Sequence, residues 1–228
     1  MQEHFYEDMR GITAQALAAV RPEAAVRKAL AAHSFAPGRI RLVAVGKAAW
    51  QMSEAAVGVL GNRIEKGIVI TKYGHIAGPL PGILCREAAH PVPDQAGFAA
   101  TREALELVSG LGAEDTVLFL LSGGASALFE QPLVKPEELQ SVTGALLACG
   151  CDIAQINTIR KRLSGVKGGR FALRCAPAQV FTVALSDVVG DAVDIIASGP
   201  TCPDSSTCAQ ALEIAEKYAL PLSARGWE

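Results

Sequence analysis

Four short runs of this chain, "IRLVAV" (40–45), "GIVITK" (67–72), "DTVLFLL" (115–121) and "AQVFTVALS" (178–186), are apolar with little or no alternation. A strand with one wet face alternates apolar and polar residues, whereas a strand buried on both faces does not. Between these runs lie segments with helical periodicity: "KAAWQMSEAAVGVL", "QAGFAATREALELVS", "KPEELQSVTGALLA" and "DIAQINTIRKRLS". Doubly buried strands alternating with helices predict an α/β fold, a mainly parallel sheet with helices on both faces. "ILCREAA" is a candidate further strand, and the first 34 residues read as two helices. Asp94 is placed to cap the helix that Gly110 ends, and Ser205 or Ser206 to cap a final helix, "SSTCAQALEIAEKYAL".

At 228 residues, half of them hydrophobic, the chain can bury a sizeable core. Its formal net charge of -2 provides no general field for nucleic acid or an anionic membrane. No run reaches the ~18 apolar residues of a membrane span. "MQEHFYEDMR" lacks the basic start and apolar centre of a signal peptide, so the expected compartment is cytoplasmic. Six cysteines, including "CGC" at 149–151, show no CxxC pairing with a nearby His and read as free thiols.

Ligands of open α/β sheets bind beyond the carboxyl ends of the strands. Those ends carry Gly46-Lys47, Thr71-Lys72, Ser122-Gly123-Gly124 and Ser186-Asp187. "SGGASAL" supplies Ser122, Gly123, Gly124, Ala125 and Ser126, which admit two readings: a tight βα turn, or a loop whose backbone approaches an anion. It matches neither a Walker A loop nor GxGxxG. On a helix, Asn157, Arg160, Lys161 and Ser164 share one stripe, with Arg162 pointing elsewhere toward solvent. From Ile153 to Ser186 there is no acidic residue, and "VKGGR" adds Lys167. That segment is either a solvated face or a binding surface for a phosphorylated small molecule; few aromatics accompany it, which disfavours nucleic acid. Lys47 stands where a point charge can meet a transferring phosphoryl group. Lys72, His75 and His90 are weaker candidates. In "LSDVVGDAVDIIASGPT", Asp187 and Asp191 suit Mg2+ binding or proton acceptance, and Asp194 suits a structural role.

The stretches "VAVGKAAWQMSEAA", "TKYGH", "EAAHPVPDQAG", "LLSGGASALFEQP", "INTIRKRLSGVKGGRFA" and "LSDVVGDAVDIIASGPTCPD" occur in one order over about residues 40–205. In this the chain resembles the N-terminal domain of the class II glycerate kinases, the glycerate 2-kinase family with a MOFRL C-terminal domain. The resemblance implies a Rossmann-like domain over residues 1–228, facing a second α/β domain that this sequence does not contain. It implies transfer of a phosphoryl group from ATP to D-glycerate, with Mg2+, to give 2-phosphoglycerate, impaired where the cleft lacks its second wall. By motif, Lys47 would be the catalytic lysine and the Ser122–Ser126 loop would bind phosphate or carboxylate. Asn157, Arg160, Lys161 and Lys167 would line the substrate and nucleotide side. Asp187 and Asp191 would serve the metal or the hydroxyl, with Ser198 and Gly199 shaping the wall. Two other classes stay open: a hydroxypyruvate reductase, against which the absent dinucleotide fingerprint argues, and a ligand-binding domain without turnover. The apolar surface left by a missing domain predicts self-association.

Overall fold

A computed structural model describes residues 2–188 and 190–227. Its elements run α1 (Gln2–Ala19), α2 (Pro22–Ala31), β1 (Ile40–Val45), α3 (Ala49–Leu60), β2 (Ile64–Lys72), β3 (Ile83–Ala88), α4 (Gln95–Leu107), β4 (Thr116–Leu121), α5 (Ala125–Leu128), α6 (Pro136–Ala148), α7 (Ile153–Arg162), α8 (Arg170–Cys175), β5 (Gln179–Ala184), α9 (Cys208–Lys217) and α10 (Ala224–Trp227). The five strands form one sheet in the order β3-β2-β1-β4-β5. Every pairing is parallel. The expected α/β sheet is therefore present, and "ILCREAA" does supply a strand.

Alternate residues of the central strands feed opposite faces. Val43, Val45, Ile68, Ile70, Val117 and Phe119 pack with Ala100 and Ala104 of α4 and Phe171 of α8. Leu42, Ala44, Val69, Leu118 and Leu120 pack with Val26 and Leu30 of α2 and Trp50 and Met52 of α3. All six residues of β1 and of β4 are buried, which is why neither run alternates in polarity. A third cluster joins α6, α7 and α9 through Leu139, Val142, Ile156, Ile159 and Ala215. This cluster holds α7 beside the sheet's carboxyl edge.

The caps follow local chemistry. The Asp94 carboxylate accepts from the Gly97 amide at 2.9 Å and opens α4. Asp152 and Gln155 form a capping box at the start of α7. At α9 the cap is Thr207, which forms the box with Gln210. Ser206 instead bonds the Asp204 carboxylate through its amide and its hydroxyl, so the expected Ser205 or Ser206 cap is displaced by one or two residues.

At the amino ends of β1 and β4, Arg39 and Asp115 clamp the two strands. The Asp115 carboxylate accepts from the Arg39 guanidinium at 2.6 Å, the Arg39 amide at 2.8 Å and the Gly112 amide at 2.7 Å. The Arg39 side chain, then the Gly112 and Arg39 amides, hold this carboxyl well below the usual carboxylate range. A depressed folded-state pKa contributes stability above the unfolded value of about 3.9 and loses it as pH falls through the folded one. Asp115→Asn should therefore lower the melting temperature at neutral pH. Its deficit relative to wild type should shrink below a pH of about 4, as scanning calorimetry across pH would show.

Candidate active site

The chain winds from β1 outward to β3, then returns to β4 and β5 on the other side of β1. The sheet's switch point therefore lies between β1 and β4, where doubly wound folds bind ligands. Val45 pairs with both Ile70 and Leu121, so the strands end level. Gly46 follows with φ 122°, and a side chain there would collide with the hydroxyl and carbonyl of Ser122. The crossing is stitched by Gly46 N–H to Ile70 O (3.1 Å) and Lys47 N–H to Gly123 O (2.9 Å). The Ala48 amide donates to Ser122 Oγ at 3.0 Å. Ser122 is 2% exposed, and its hydroxyl is engaged in this crossing.

Above it, Gly123 and Gly124 form a bare platform. Among the described residues their amides take no backbone partner. A methyl group on Gly123 would collide with the Asp187 carboxylate and stand 3.7 Å from Lys47 Cε. One on Gly124 would stand 3.1 Å from the His90 ring and 3.4 Å from Lys47 Cγ. The absence of side chains on these two residues thus lets Lys47, Asp187 and His90 converge. Helix α5 beyond the platform is a single turn, so the expected helix-start contribution to anion binding is small.

A cavity of about 230 Å3 opens here, lined in part by His90, Gly123, Gly124, Asn157, Arg160 and Asp187. Ser122, Ala125 and Ser126 also border it, with Ile195, Ile196 and Ala197 as its far wall. Burial lowers the Arg160 pKa and the Glu130 charge opposes that. No carboxylate lies within ion-pair distance of Arg160 among the described residues. Burial, then the charges of Lys47, Lys72 and Arg160, push the His90 imidazole down. The charges of Lys47, Lys72 and Arg160 acting on His90 mark a positive pocket suited to an anion.

The other expected residues divide by role. Asn157, 3% exposed, donates to Ile195 O at 3.2 Å and accepts from Ser198 Oγ at 2.8 Å. Ser198 Oγ also lies 3.3 Å from Ser126 Oγ, so these three side chains fasten the wall to α5 and α7. Gly199, at φ 62°, completes the turn behind that wall. The structure does not bring Lys161 or Lys167 to the cavity. Lys161 pairs with Asp204 at 3.3 Å and approaches Asp194 at 3.9 Å, consistent with a structural Asp194. Lys167 is fully buried, donating to Glu130 at 2.6 Å and to the Phe129 carbonyl at 2.9 Å. Arg162, expected in solvent, pairs with Asp204 at 3.0 Å. Asp191 is exposed with φ 51° and does not line the cavity. No cluster of three or more potential metal ligands occurs among the described residues.

Glu130 and Asp204 carry no local sequence signal of their roles, because each neutralises a cation more than 35 residues away along the chain. A larger cavity of about 450 Å3 lies across α7, lined in part by Leu133, Val134, Leu163, Leu212 and Leu222. It holds none of the strand-end groups.

A family model described as a domain of unknown function, DUF4147, matches residues 8–225. The chain belongs to the DUF4147 family. A D-glycerate 2-kinase of Thermotoga maritima is 54% identical over 214 residues, covering 93% of this chain and 51% of the relative. An Agrobacterium vitis relative carrying a hydroxypyruvate reductase name is 43% identical, covering 82% of this chain and 44% of the relative. The crystal structure of a Thermotoga maritima glycerate kinase superposes with a TM-score of 0.90 at 50% identity, over 99% of this chain and 54% of that one. The chain spans about half the length of the curated relatives it matches. The resemblance to the N-terminal part of the glycerate 2-kinases is thus borne out.

Removing one member of a buried ion pair leaves an uncompensated charge and costs about 3–5 kcal/mol. Lys167→Met should destabilise the chain by about that much in urea unfolding. Adding Glu130→Leu should recover most of the loss. Full stability of the single variant would disprove the pair's structural role.

Proposed function

We propose that this chain forms the anion-binding half of a glycerate 2-kinase, transferring the γ-phosphoryl group of ATP to the 2-hydroxyl of D-glycerate. One observation supports it most: Lys47, Arg160, His90 and Asp187 surround an unadorned glycine platform at the sheet's switch point. Phosphoryl transfer asks for positioning and charge neutralisation more than covalent chemistry, and that is what these groups offer. The Lys47 ammonium neutralises the transferring group and Arg160 holds the substrate carboxylate or a phosphate. His90, its pKa lowered by burial and by the charges of Lys47, Lys72 and Arg160, is the candidate acceptor of the hydroxyl proton.

A magnesium ion fits as a partner of phosphate and not as a protein-caged ion. Mg2+ in such sites takes one or two carboxylates and completes its shell with phosphate oxygens and water. Asp187 is the carboxylate at the cavity; Asp191 stands outside it. Bound there, the ion would offset charge between the β- and γ-phosphates. The cavity, about 230 Å3, lies below the roughly 300–1,000 Å3 usual for pockets of drug-sized ligands, so it suits a three-carbon acid or a phosphate group better than a whole nucleotide. A second α/β domain, which the relatives' doubled length accommodates, would close the cleft over the nucleotide. A cytoplasmic location belongs to the same reading; among the described residues no helix is long and apolar enough to cross a membrane.

Coupled measurement of ADP release with Mg-ATP and D-glycerate tests the proposal, beside a phosphate titration followed by NMR. Lys47→Ala should cut turnover by about 100-fold or more, as loss of one charge-stabilising donor does elsewhere. It should also weaken phosphate binding while leaving the melting temperature unchanged. Unaltered turnover and binding would refute the role of Lys47, and NADH oxidation by hydroxypyruvate would favour the reductase reading.

Self-association is part of the proposal. Phe5, Tyr6, Met9, Ile12 and Leu17 of α1 are each at least half exposed. Light scattering should show a mass that rises with concentration, and a constant monomer mass would contradict it.

A further inference from the structure

The "CGC" turn joins α6 to α7, and the function above makes no use of it. Cys149 is the C-terminal cap of α6, its amide bonded to Ala145 O at 2.9 Å. Gly150 follows with φ 75°, a left-handed conformation that folds the chain back so that Cys149 Sγ and Cys151 Sγ stand 2.8 Å apart. Both side chains are half-buried, and both are free thiols. Next in sequence is Asp152, the cap of α7. The pair is therefore already in the geometry from which a short-loop disulfide closes with little backbone movement.

We propose that Cys149 and Cys151 form a peroxide-reactive dithiol that closes reversibly into an intra-turn disulfide. The thiolate is the attacking species, and the pair contains an order. Burial, then the hydrogen bond with Cys149, pushes the Cys151 thiol up to about 11, so Cys151 is held as the thiol until it resolves the linkage. Cys149 Sγ attacks one oxygen of hydrogen peroxide; the O–O bond breaks, a sulfenic acid forms and one water leaves. Cys151 Sγ then attacks the Cys149 sulfur, the S–O bond breaks and a second water carries off the remaining hydrogens. Two thiols are oxidised by two electrons and one peroxide is reduced to two waters. A thiol reductant restores the pair by exchange through a mixed disulfide.

The position gives the chemistry a consequence. Leu147 and Ile153, on either side of the turn, both border the active-site cavity, and α7 carries Asn157 and Arg160 into it. A disulfide across the corner ties the end of α6 to the start of α7 and stiffens that wall. This inference does not depend on which reaction the cavity supports.

The test is brief treatment of the chain with hydrogen peroxide, alkylation of residual thiols and mass mapping of the peptide spanning 136–160. The expected product is that peptide unalkylated, lighter by two hydrogens and restored by dithiothreitol. Amide hydrogen exchange over residues 147–156 should slow in the oxidised form. Cys149→Ser should abolish the linkage, and Cys151→Ser should leave a dimedone-trappable sulfenic acid at Cys149, with circular dichroism unchanged in both. Alkylation of both cysteines after treatment would overturn the proposal. So would over-oxidation without linkage, or pairing of either cysteine with Cys208.

Discussion

The site depends on one contact, the backbone of Gly46 against Ser122. β1 and β4 end in register, and the two chains leaving them must diverge from a point where no Cβ can be accommodated. Gly46 meets that requirement by lacking a Cβ and by adopting a φ that other residues rarely take. Once the strands are fixed there, the direction of Lys47 is fixed, since its amide is held by Gly123 O. The Gly123–Gly124 platform is then presented to the open edge, and Asp187 arrives from the end of β5. Three separate strands thus deliver one constellation because their ends are level.

Electrostatics then selects among the cations. The run from Ile153 to Ser186 is wholly basic in sequence, yet most of that charge is matched within the fold. Glu130 takes Lys167, and Asp204 takes Lys161 and Arg162. Burial pushes the Asp204 carboxyl up, but Ser206 hydrogen bonds and the Lys161 charge outweigh it, so the group sits below its usual range. Arg170 spends its guanidinium on the carbonyls of Lys161 and Ser164, closing the carboxyl end of α7. What the run brings to the cavity is Arg160, with Lys47 beside the glycine platform. A charged segment can therefore be largely structural and still leave a positive cavity.

The architecture was legible because its signals are local: doubly apolar strands, the cap at Asp94, and small residues at the strand ends. The platform was legible for the same reason, since Ser122, Gly123 and Gly124 adjoin a buried strand. The roles of the lysines were not. Helical spacing correctly put Asn157, Arg160 and Lys161 near one another, but a stripe is wide enough for Arg160 to face the cavity while Lys161 turns to Asp204. That choice rests on carboxylates distant in sequence, which periodicity does not reveal. The same holds for Asp187 and Asp191, which look equivalent on paper. Gly190 and Asp191 both take positive φ, and the chain turns away after Asp187.

The far wall shows what this arrangement costs and what secures it. Ala197, Ser198 and Gly199 are consecutive left-handed residues, at φ 54°, 61° and 62°. For the two that carry a Cβ, such a conformation costs roughly 1–2 kcal/mol each and persists only where the surroundings over-determine it. Here they do: Gly168 N–H bonds Ser198 O at 3.1 Å, Gly169 N–H bonds Gly199 O at 2.8 Å, and Ala172 N–H bonds Pro200 O at 3.2 Å. The Ser198 hydroxyl adds its bond to Asn157. The glycines of "VKGGR" thus serve the wall and not the ligand, because a Cβ on Gly169 would meet the Cys202 carbonyl at 2.9 Å. A turn held in this conformation by four bonds from two other segments is a rigid boundary. It fixes the distance between α7 and the glycine platform across the cavity.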